Sequence, residues 1–443
     1  MKNFIIAILL LVSPCLYAQN KPTFEQAWQA AQNGDANAYY WLGCFYYQGE
    51  GTKQNYTEAL KYFQKAANNG DAYSYAWIAK IYYYGNGCAQ NYEEAFKWFL
   101  KAANAGQTVV YGWLGLVYYE GKGCNKNYGE AIKWLKKAAE NGDSSCYGYL
   151  GSSYYELQDF QEAFKWTSKA VENGDIASNT GLGIMYVNGL GTERNEKKAL
   201  DCFKKAASIG DRFACFWLGS MYFDGKGTSI NEAEGFKWTQ KAAEKGYVGS
   251  YIALGFCFEE GKGIGKNIDE AITWYKKAYD KNVPDAPMML CMAYYTQKDY
   301  KEAKKWAEQT INQKEFAFVG YRILALLNIY GLGVPQNKDK AFELIAKALD
   351  GAKQKEGPMP NTLDAEGEVY LADNNINKAR EIYNDILKET PDFYTQKETK
   401  LSKFMKEHKG GDVDFDIPIA DNVSNHTFAV IISNEKYQME KSV

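Results

Sequence analysis

Histidine is nearly missing from this chain. His408 and His426 are the two in 443 residues, and both lie near the C-terminus. Imidazole is the commonest acid–base catalyst and metal ligand, so the rest of the sequence has little of either chemistry. Surplus positive charge is missing as well: 51 Lys and Arg against 54 Asp and Glu leave a net −3. With no basic run to concentrate cations, nothing favours a nucleic-acid partner. Beyond the N-terminus no segment is apolar enough to span a bilayer. No Gly-Lys-Ser or Gly-Lys-Thr follows any glycine motif, which removes the usual phosphate cradle.

The N-terminus has the pattern of a signal peptide. Lys2 gives a positive start, Phe4 to Val12 is apolar, and Leu16-Tyr17-Ala18 offers a small-residue cleavage site before Gln19. Pro14 does not supply the small residue that a lipid-modified Cys15 needs. Residues 1–18 are therefore expected to be removed, leaving an exported protein, periplasmic or extracellular, without a membrane anchor. Export permits disulfides, yet the remaining cysteines do not form a framework. Cys88 and Cys124 occupy the same loop position one repeat apart, about 10 Å by helix-packing distance, too far to bridge. Cys44, Cys257 and Cys291 lie beside or at small-residue helix positions, where a thiol packs as a small hydrophobe. Cys202 and Cys215 are the one pair that could meet across a helix turn.

What the chain has in abundance is apolar and aromatic residues, 46% hydrophobic with 36 Tyr and 11 Trp, arranged in a repeat. One unit reads Trp113-Leu114-Gly115-x-x-Tyr118-Tyr119-x-Gly121-x-Gly123, then Glu130-Ala131-x-x-Trp134-x-x-Lys137-Ala138-Ala139-x-x-Gly142. The first alanine of the second motif recurs as Ala59, Ala95, Ala131, Ala163, Ala199, Gly235, Ala271, Ala303, Ala341 and Ala379. Successive differences of 36, 36, 32, 36, 36, 36, 32, 38 and 38 residues identify a repeat architecture, in which each unit buries its apolar face on its neighbours.

Each unit predicts two helices. Leu114, Gly115 and Tyr118 share one face of the first, and Ala131, Trp134, Leu135, Ala138 and Ala139 make a matching stripe on the second. Gly-x-Gly supplies left-handed angles between them, and Asn141-Gly142-Asp143 stops the second helix. The two 32-residue spacings contain compact loops, 156–159 and 296–299, without Gly-x-Gly. Residues 22–35 match a second helix alone, a half-repeat able to cap the array. Residues 351–360 carry an insertion with Pro358 and Pro360, and the last clear unit runs from about Leu363 to Thr390. The expectation is all-α, an α-solenoid of about ten helix pairs.

These Leu-Gly-x-x-Tyr-x-x-Gly-x-Gly and Lys-Ala-Ala signatures resemble the Sel1-like branch of the tetratricopeptide-type repeats, over roughly residues 22–390. Asn55, Asn91 and Asn127 depart from it mildly, standing where aspartate is common. The resemblance implies an adaptor that holds other proteins. Consistent with turn geometry, the Gly-x-Gly pairs follow helices and not strands, so no nucleotide or other cofactor is expected. An aromatic ladder, Tyr62, Trp98, Trp134, Trp166, Trp238, Trp274 and Trp306, lies three residues past the marker alanine. It is read as core between repeats and not as a stacking platform for glycan. Tyr46, Tyr47, Tyr83, Tyr84, Tyr119, Tyr154 and Tyr155 are less tightly required by the pattern, and are the candidate surface for a protein or peptide partner.

The tail departs from the pattern. Residues 391–424 have linker composition, and the Asp412, Asp414, Asp416 alternation lacks the glycine and glutamate of a calcium loop. Residues 425–443 include the β-rich run Phe428 to Ile432. Thr427-Phe428-Ala429-Val430-Ile431-Ile432-Ser433-Asn434-Glu435-x-Tyr437 resembles the opening strand of bacterial caspase-like cysteine peptidase domains, with Ser433 in place of glycine. Such enzymes place their histidine and cysteine after later strands. His426 precedes the strand and no cysteine follows Cys291, so no catalytic residue is expected here. The reading is a non-catalytic exported scaffold, the alternative being the targeting arm of a peptidase whose catalytic part lies elsewhere.

Overall fold

The computed structural model describes residues 21–353, 360–396 and 399–407, and among them the regular structure is 23 α-helices with two short 3-10 turns. Residues 1–18, His408, His426 and the expected strand at 428–432 lie outside these residues. The chain forms two compact units, divided between Ile209 and Gly210.

The first unit opens with a lone helix, α1 (Phe24–Gln32). It then runs as pairs: α2 (Ala36–Gln48) with α3 (Tyr56–Asn68), α4 (Tyr73–Tyr84) with α5 (Tyr92–Asn104), and α6 (Tyr111–Glu120) with α7 (Tyr128–Glu140). The last two pairs are α8 (Tyr147–Glu156) with α9 (Phe160–Glu172), and α10 (Asn179–Asn188) with α11 (Glu196–Ser208). The second unit has α12 (Arg212–Asp224) and α13 (Glu232–Glu244), α14 (Gly249–Glu260) and α15 (Ile268–Asp280), and α16 (Ala286–Gln297) and α17 (Tyr300–Thr310). It closes with α18 (Ala317–Tyr330) and α19 (Lys338–Lys353), α20 (Pro360–Ala372) and α21 (Ile376–Glu389), and two short helices, α22 (Phe393–Gln396) and α23 (Lys400–Glu407). The first helix of each pair is its A helix and the second its B helix.

One pair shows how the sequence builds all of them. The α7 N-terminus is capped by Asn127, whose Oδ1 accepts from the Glu130 amide at 3.0 Å, a bond worth about 1 kcal/mol. The amide side chain thus does the capping work of the more usual aspartate at Asn55, Asn91 and Asn127. Ala131, Leu135 and Ala138 are buried on one side of α7 and meet α6. Gly115 sits directly against the Leu135 side chain, so that any Cβ there would collide with it; the missing side chain sets how closely the two helices approach.

The Gly-x-Gly loop has two jobs. Gly85 ends α4 in the left-handed region at φ 72°, as an ordinary helix stop. Gly87, also left-handed at φ 71°, lies where a Cβ would come within 2.6 Å of the Thr57 amide nitrogen in the preceding repeat. Thr57 Oγ1 donates to the Gly87 carbonyl at 3.0 Å. The second glycine therefore seats the loop on the first turn of the B helix before it, as Gly123, Gly191, Gly263 and Gly333 also do within their units. In the compact loops the left-handed positions fall instead on Gln158 (φ 60°) and Lys298 (φ 66°).

The core is a series of small clusters along the repeats. Phe99 of α5 is fully buried and stacks on Trp113 of α6, centroids 5.6 Å apart and planes 11° from parallel, an arrangement adding about 0.5–1.5 kcal/mol to area burial. In the second unit Tyr275 is fully buried, and its hydroxyl donates to Glu259 Oε2 at 2.7 Å. All eight cysteines from Cys44 to Cys291 are free thiols, and Cys44, Cys257 and Cys291 are buried.

The expected linker at 391–424 needs correction in its described part. Leu401 is fully buried and Met405 nearly so, with Gly367 of α20 leaving room for the Leu401 side chain. Tyr394 Oη and Thr399 Oγ1 donate to the buried Asp364 carboxylate at 3.0 and 2.8 Å. Charged residues at 391–407 hide an apolar stripe of Leu401, Phe404 and Met405 at helical spacing, so helical packing continues to Glu407.

Candidate interaction surface

The aromatic ladder on the B helices differs from the expected buried core. Tyr62 and Trp306 are buried, while Trp98, Trp134, Trp166, Trp238 and Trp274 are half-buried. Their ring faces are nevertheless occupied from within the chain. Lys101 Nζ lies 4.6 Å from the Trp98 centroid and 4.4 Å from that of Tyr75. Lys137 stands 4.4 Å over Trp134, and Lys169 lies 5.0 Å from Trp166 and 4.6 Å from Tyr147. Indole Nε1 of Trp166, Trp238 and Trp306 donates to Glu162, Glu234 and Glu302 at 2.9, 3.0 and 3.2 Å. Trp306 packs on Tyr279 of the preceding B helix at 4.9 Å. Trp98, Trp134, Trp166 and Trp274 instead each bracket the A and B helices of their own repeat, against Tyr75, Tyr111, Tyr147 and Tyr251, under a cation–π lid. A glycan would have to displace that lysine to stack.

The candidate tyrosines separate into two sets. Tyr46 and Tyr154 turn toward the B helices: Tyr46 stacks on Tyr62 at 5.6 Å and 5°, and Tyr154 is buried in the core. Tyr47, Tyr83, Tyr84 and Tyr119 lie along the A helices, each against an aromatic of the next repeat. Tyr47 meets Trp77 at 4.9 Å, Tyr83 and Tyr84 meet Trp113 at 5.4 and 5.9 Å, and Tyr119 meets Tyr149 at 5.8 Å. Tyr84 is 41% exposed and Tyr155 37%, Tyr46, Tyr47 and Tyr119 are half-buried, and Tyr83 is a core residue. Consecutive residues of a helix project about 100° apart, which is why pairs such as 46/47 divide between two faces. The Tyr83 hydroxyl still reaches the rim, donating to Glu120 Oε2 at 2.9 Å, where Lys122 and Glu120 form an ion pair at 2.8 Å.

The residues that join this set are ones that reasoning from the sequence missed. Trp41, Trp77, Trp113 and Tyr149 recur at intervals of 36 residues and form a second aromatic row, on the A helices. On α4 the row belongs to a stripe, Tyr73, Trp77, Lys80 and Tyr84, at spacings of four, three and four. Tyr73 is 45% exposed. The signal was present in the Trp-Leu-Gly repeat itself, overshadowed by the longer Trp ladder of the B helices.

Lys80 is the anomaly of the surface. It is 5% exposed, and its ammonium lies 5.0 Å from the Trp77 centroid. Among the described residues it makes no hydrogen bond or ion pair. Burial holds it down at about 8, below the ordinary lysine value of 10.5. Burial also raises the hydroxyls of Tyr47, Tyr84, Tyr119 and Tyr149, so the tyrosines act here as neutral donors and aromatic faces.

Among the described residues no group of three or more His, Cys, Asp or Glu is placed to hold a metal ion, and no helix is long and apolar enough to cross a membrane. Burial outweighs the nearby cations at the thiols of Cys44, Cys146, Cys257 and Cys291 and pushes them up to about 12.

Ten helix pairs, stacked within each unit and most of them joined by glycine loops, define a helical-repeat protein of the α-solenoid class. The Sel1 repeat family model matches nine segments: 36–71, 72–107, 112–143, 146–175, 176–211, 212–247, 249–283, 286–314 and 320–352. The chain belongs to the Sel1 repeat family. Among solved structures it is similar to a protective antigen of uropathogenic Escherichia coli with an SLR fold, at 23% identity and a TM-score of 0.53, over 91% of this chain and 100% of that one. It is also similar to a Sel1 repeat protein from Oxalobacter formigenes, at 28% identity and a TM-score of 0.44, over 58% of this chain and 100% of that one. No curated protein matches it.

Proposed function

We propose that this chain is an exported, non-catalytic scaffold whose first unit binds a protein or peptide along its A helices. The observation that carries the reading is the continuous aromatic row of α2, α4, α6 and α8, flanked by the exposed rings of Tyr73 and Tyr84. Tyrosine and tryptophan offer large contact area at low entropic cost and dominate interface energetics. Among the described residues of the first unit no B-helix ring is as exposed as Tyr73 or Tyr84, since Trp98, Trp134 and Trp166 are half-buried under lysines. Export is supported by the residue pattern of positions 2–18, and the absence of catalysis by the scarcity of histidine and the burial of six of the eight described thiols.

The test is selection of random dodecapeptides on the full chain, followed by titration of the retained peptides against Tyr73→Ala and Tyr84→Ala. Both residues are exposed, so the fold should survive. Retained peptides should bind either variant at least about tenfold more weakly, the loss expected for an aromatic hot spot. Failure to retain any peptide, or retention indifferent to both changes, would overturn the reading. A mature N-terminus other than Gln19 would contradict the cleavage reading.

A further inference from the structure

We propose that Lys80 is the charge-reading centre of the A-helix face, taking one carboxylate of an extended acidic peptide. The carboxylate comes from an Asp or Glu side chain or from a free C-terminus. This role rests on the scaffold function proposed for the same face and names its partner class.

Register sets Lys80 apart. The repeat places Cys44, Lys80, Leu116 and Ser152 at equivalent positions, 36 residues apart on α2, α4, α6 and α8. Three are apolar or small and neutral; one is a cation. Packing alone would be served by another apolar side chain, and a charge at that site is a cost. An ammonium has three donors and no acceptor, and Lys80 spends none of them on another described residue; the Trp77 face lies 5.0 Å away. An ammonium stripped of most of its water, with no anion beside it, is disfavoured, as its lowered proton affinity reflects. A group that brought a carboxylate to it would recover that cost and add a charge-assisted hydrogen bond.

The surroundings select the kind of anion. Lys80 lies between two exposed rings on one helix, Tyr73 and Tyr84, eleven residues apart, or about 16 Å along the axis. About five residues of extended peptide cover that distance. Apolar groups of such a segment would lie on Tyr73, Trp77 and Tyr84 while its middle residue faces Lys80. A polyanion such as nucleic acid or a phosphorylated polymer suits the surface poorly. The neighbouring cation Lys122 is already paired with Glu120 at 2.8 Å, and Glu120 and Glu156, at the ends of α6 and α8, would repel added negative charge. One cation in a neutral aromatic row, with acids beyond it, reads a single carboxylate.

The experiment uses the full chain with Lys80→Met and Lys80→Arg variants. The probes are the acidic dodecapeptides that the selection retains, each made with Asp/Glu or Asn/Gln and with a free or amidated C-terminus. Calorimetric titration should show the wild type preferring the acidic form by about tenfold or more, as a buried charge-assisted bond predicts. Lys80→Met should erase the preference and Lys80→Arg should keep most of it. Whether amidation or Asn/Gln replacement removes the preference tells the C-terminal from the side-chain source. Equal binding of acidic and amide peptides to the wild type, or an unchanged preference in Lys80→Met, would overturn the inference while leaving a Tyr84-dependent scaffold intact. An anionic oligosaccharide bound through Lys80 when no acidic peptide is would overturn it as well. Retention of no peptide at all would overturn both readings together.

Discussion

At the residue scale, stability should report on Lys80 before any partner is known. Its ammonium is disfavoured in the folded chain, so the native state releases that proton more readily than the unfolded one. Stability from this group is then present above 10.5 and lost as pH falls through about 8. Wild type should gain in denaturation midpoint between pH 8 and 10 relative to Lys80→Met, which removes the titrating group. At pH 7 Lys80→Met should be the more stable, by up to about 3 kcal/mol. A variant less stable at pH 7 would mean that Lys80 already has an internal anion. The two aromatic classes on the B helices make a second comparison. Trp306, 6% exposed, should cost about 3–5 kcal/mol on replacement by alanine. The half-buried Trp134 should cost less, about 1–3 kcal/mol, part of it the lost Lys137 contact. Urea denaturation of both variants decides, and equal losses would contradict the bracket description.

At the element scale, the two glycines of the inter-helix loop are separable. Gly87→Ala places a methyl against the Thr57 backbone in a left-handed turn, and should cost more than about 2 kcal/mol. Gly70, left-handed at φ 90° with nothing within 4 Å of a Cβ, should cost about 1 kcal/mol on the same change. Thermal denaturation of the pair measures the seam contact by difference, and identical costs would remove it. Leu401→Ala should free α23 from α20 and be seen as faster amide exchange over 400–407 with the repeats before it unchanged. What the sequence made legible was everything carried by period: helix pairs, the opening half-repeat, compact loops at 156–159 and 296–299. What stayed hidden depends on contacts between repeats. The role of Gly87 lies in its distance from Thr57, thirty residues earlier. Tyr46 and Tyr47 are adjacent in sequence yet serve different faces, and Lys80 looks like any surface lysine until its burial is seen. The α23 stripe was masked by the lysines and glutamates around Leu401.

At the scale of the whole molecule, labour is divided between two kinds of helix. B helices cover their tryptophan rings with lysines and carry exposed Glu–Lys pairs at the first turns, such as Glu94–Lys97 at 2.7 Å, each worth little in stability. On the A helices of the first unit the exposed rings of Tyr73 and Tyr84 flank Lys80, a cation without an ion-pair partner among the described residues. Binding by this protein is therefore expected on one face of its first unit and through few residues. The most direct measurement is hydroxyl-radical footprinting of the full chain with and without a selected acidic peptide, read by mass spectrometry on aromatic side chains. Oxidation of Tyr73, Trp77 and Tyr84 should fall several-fold on binding while Trp98, Trp134 and Trp166 stay as they were. Protection confined to the B-helix tryptophans, or to the second unit, would contradict the account.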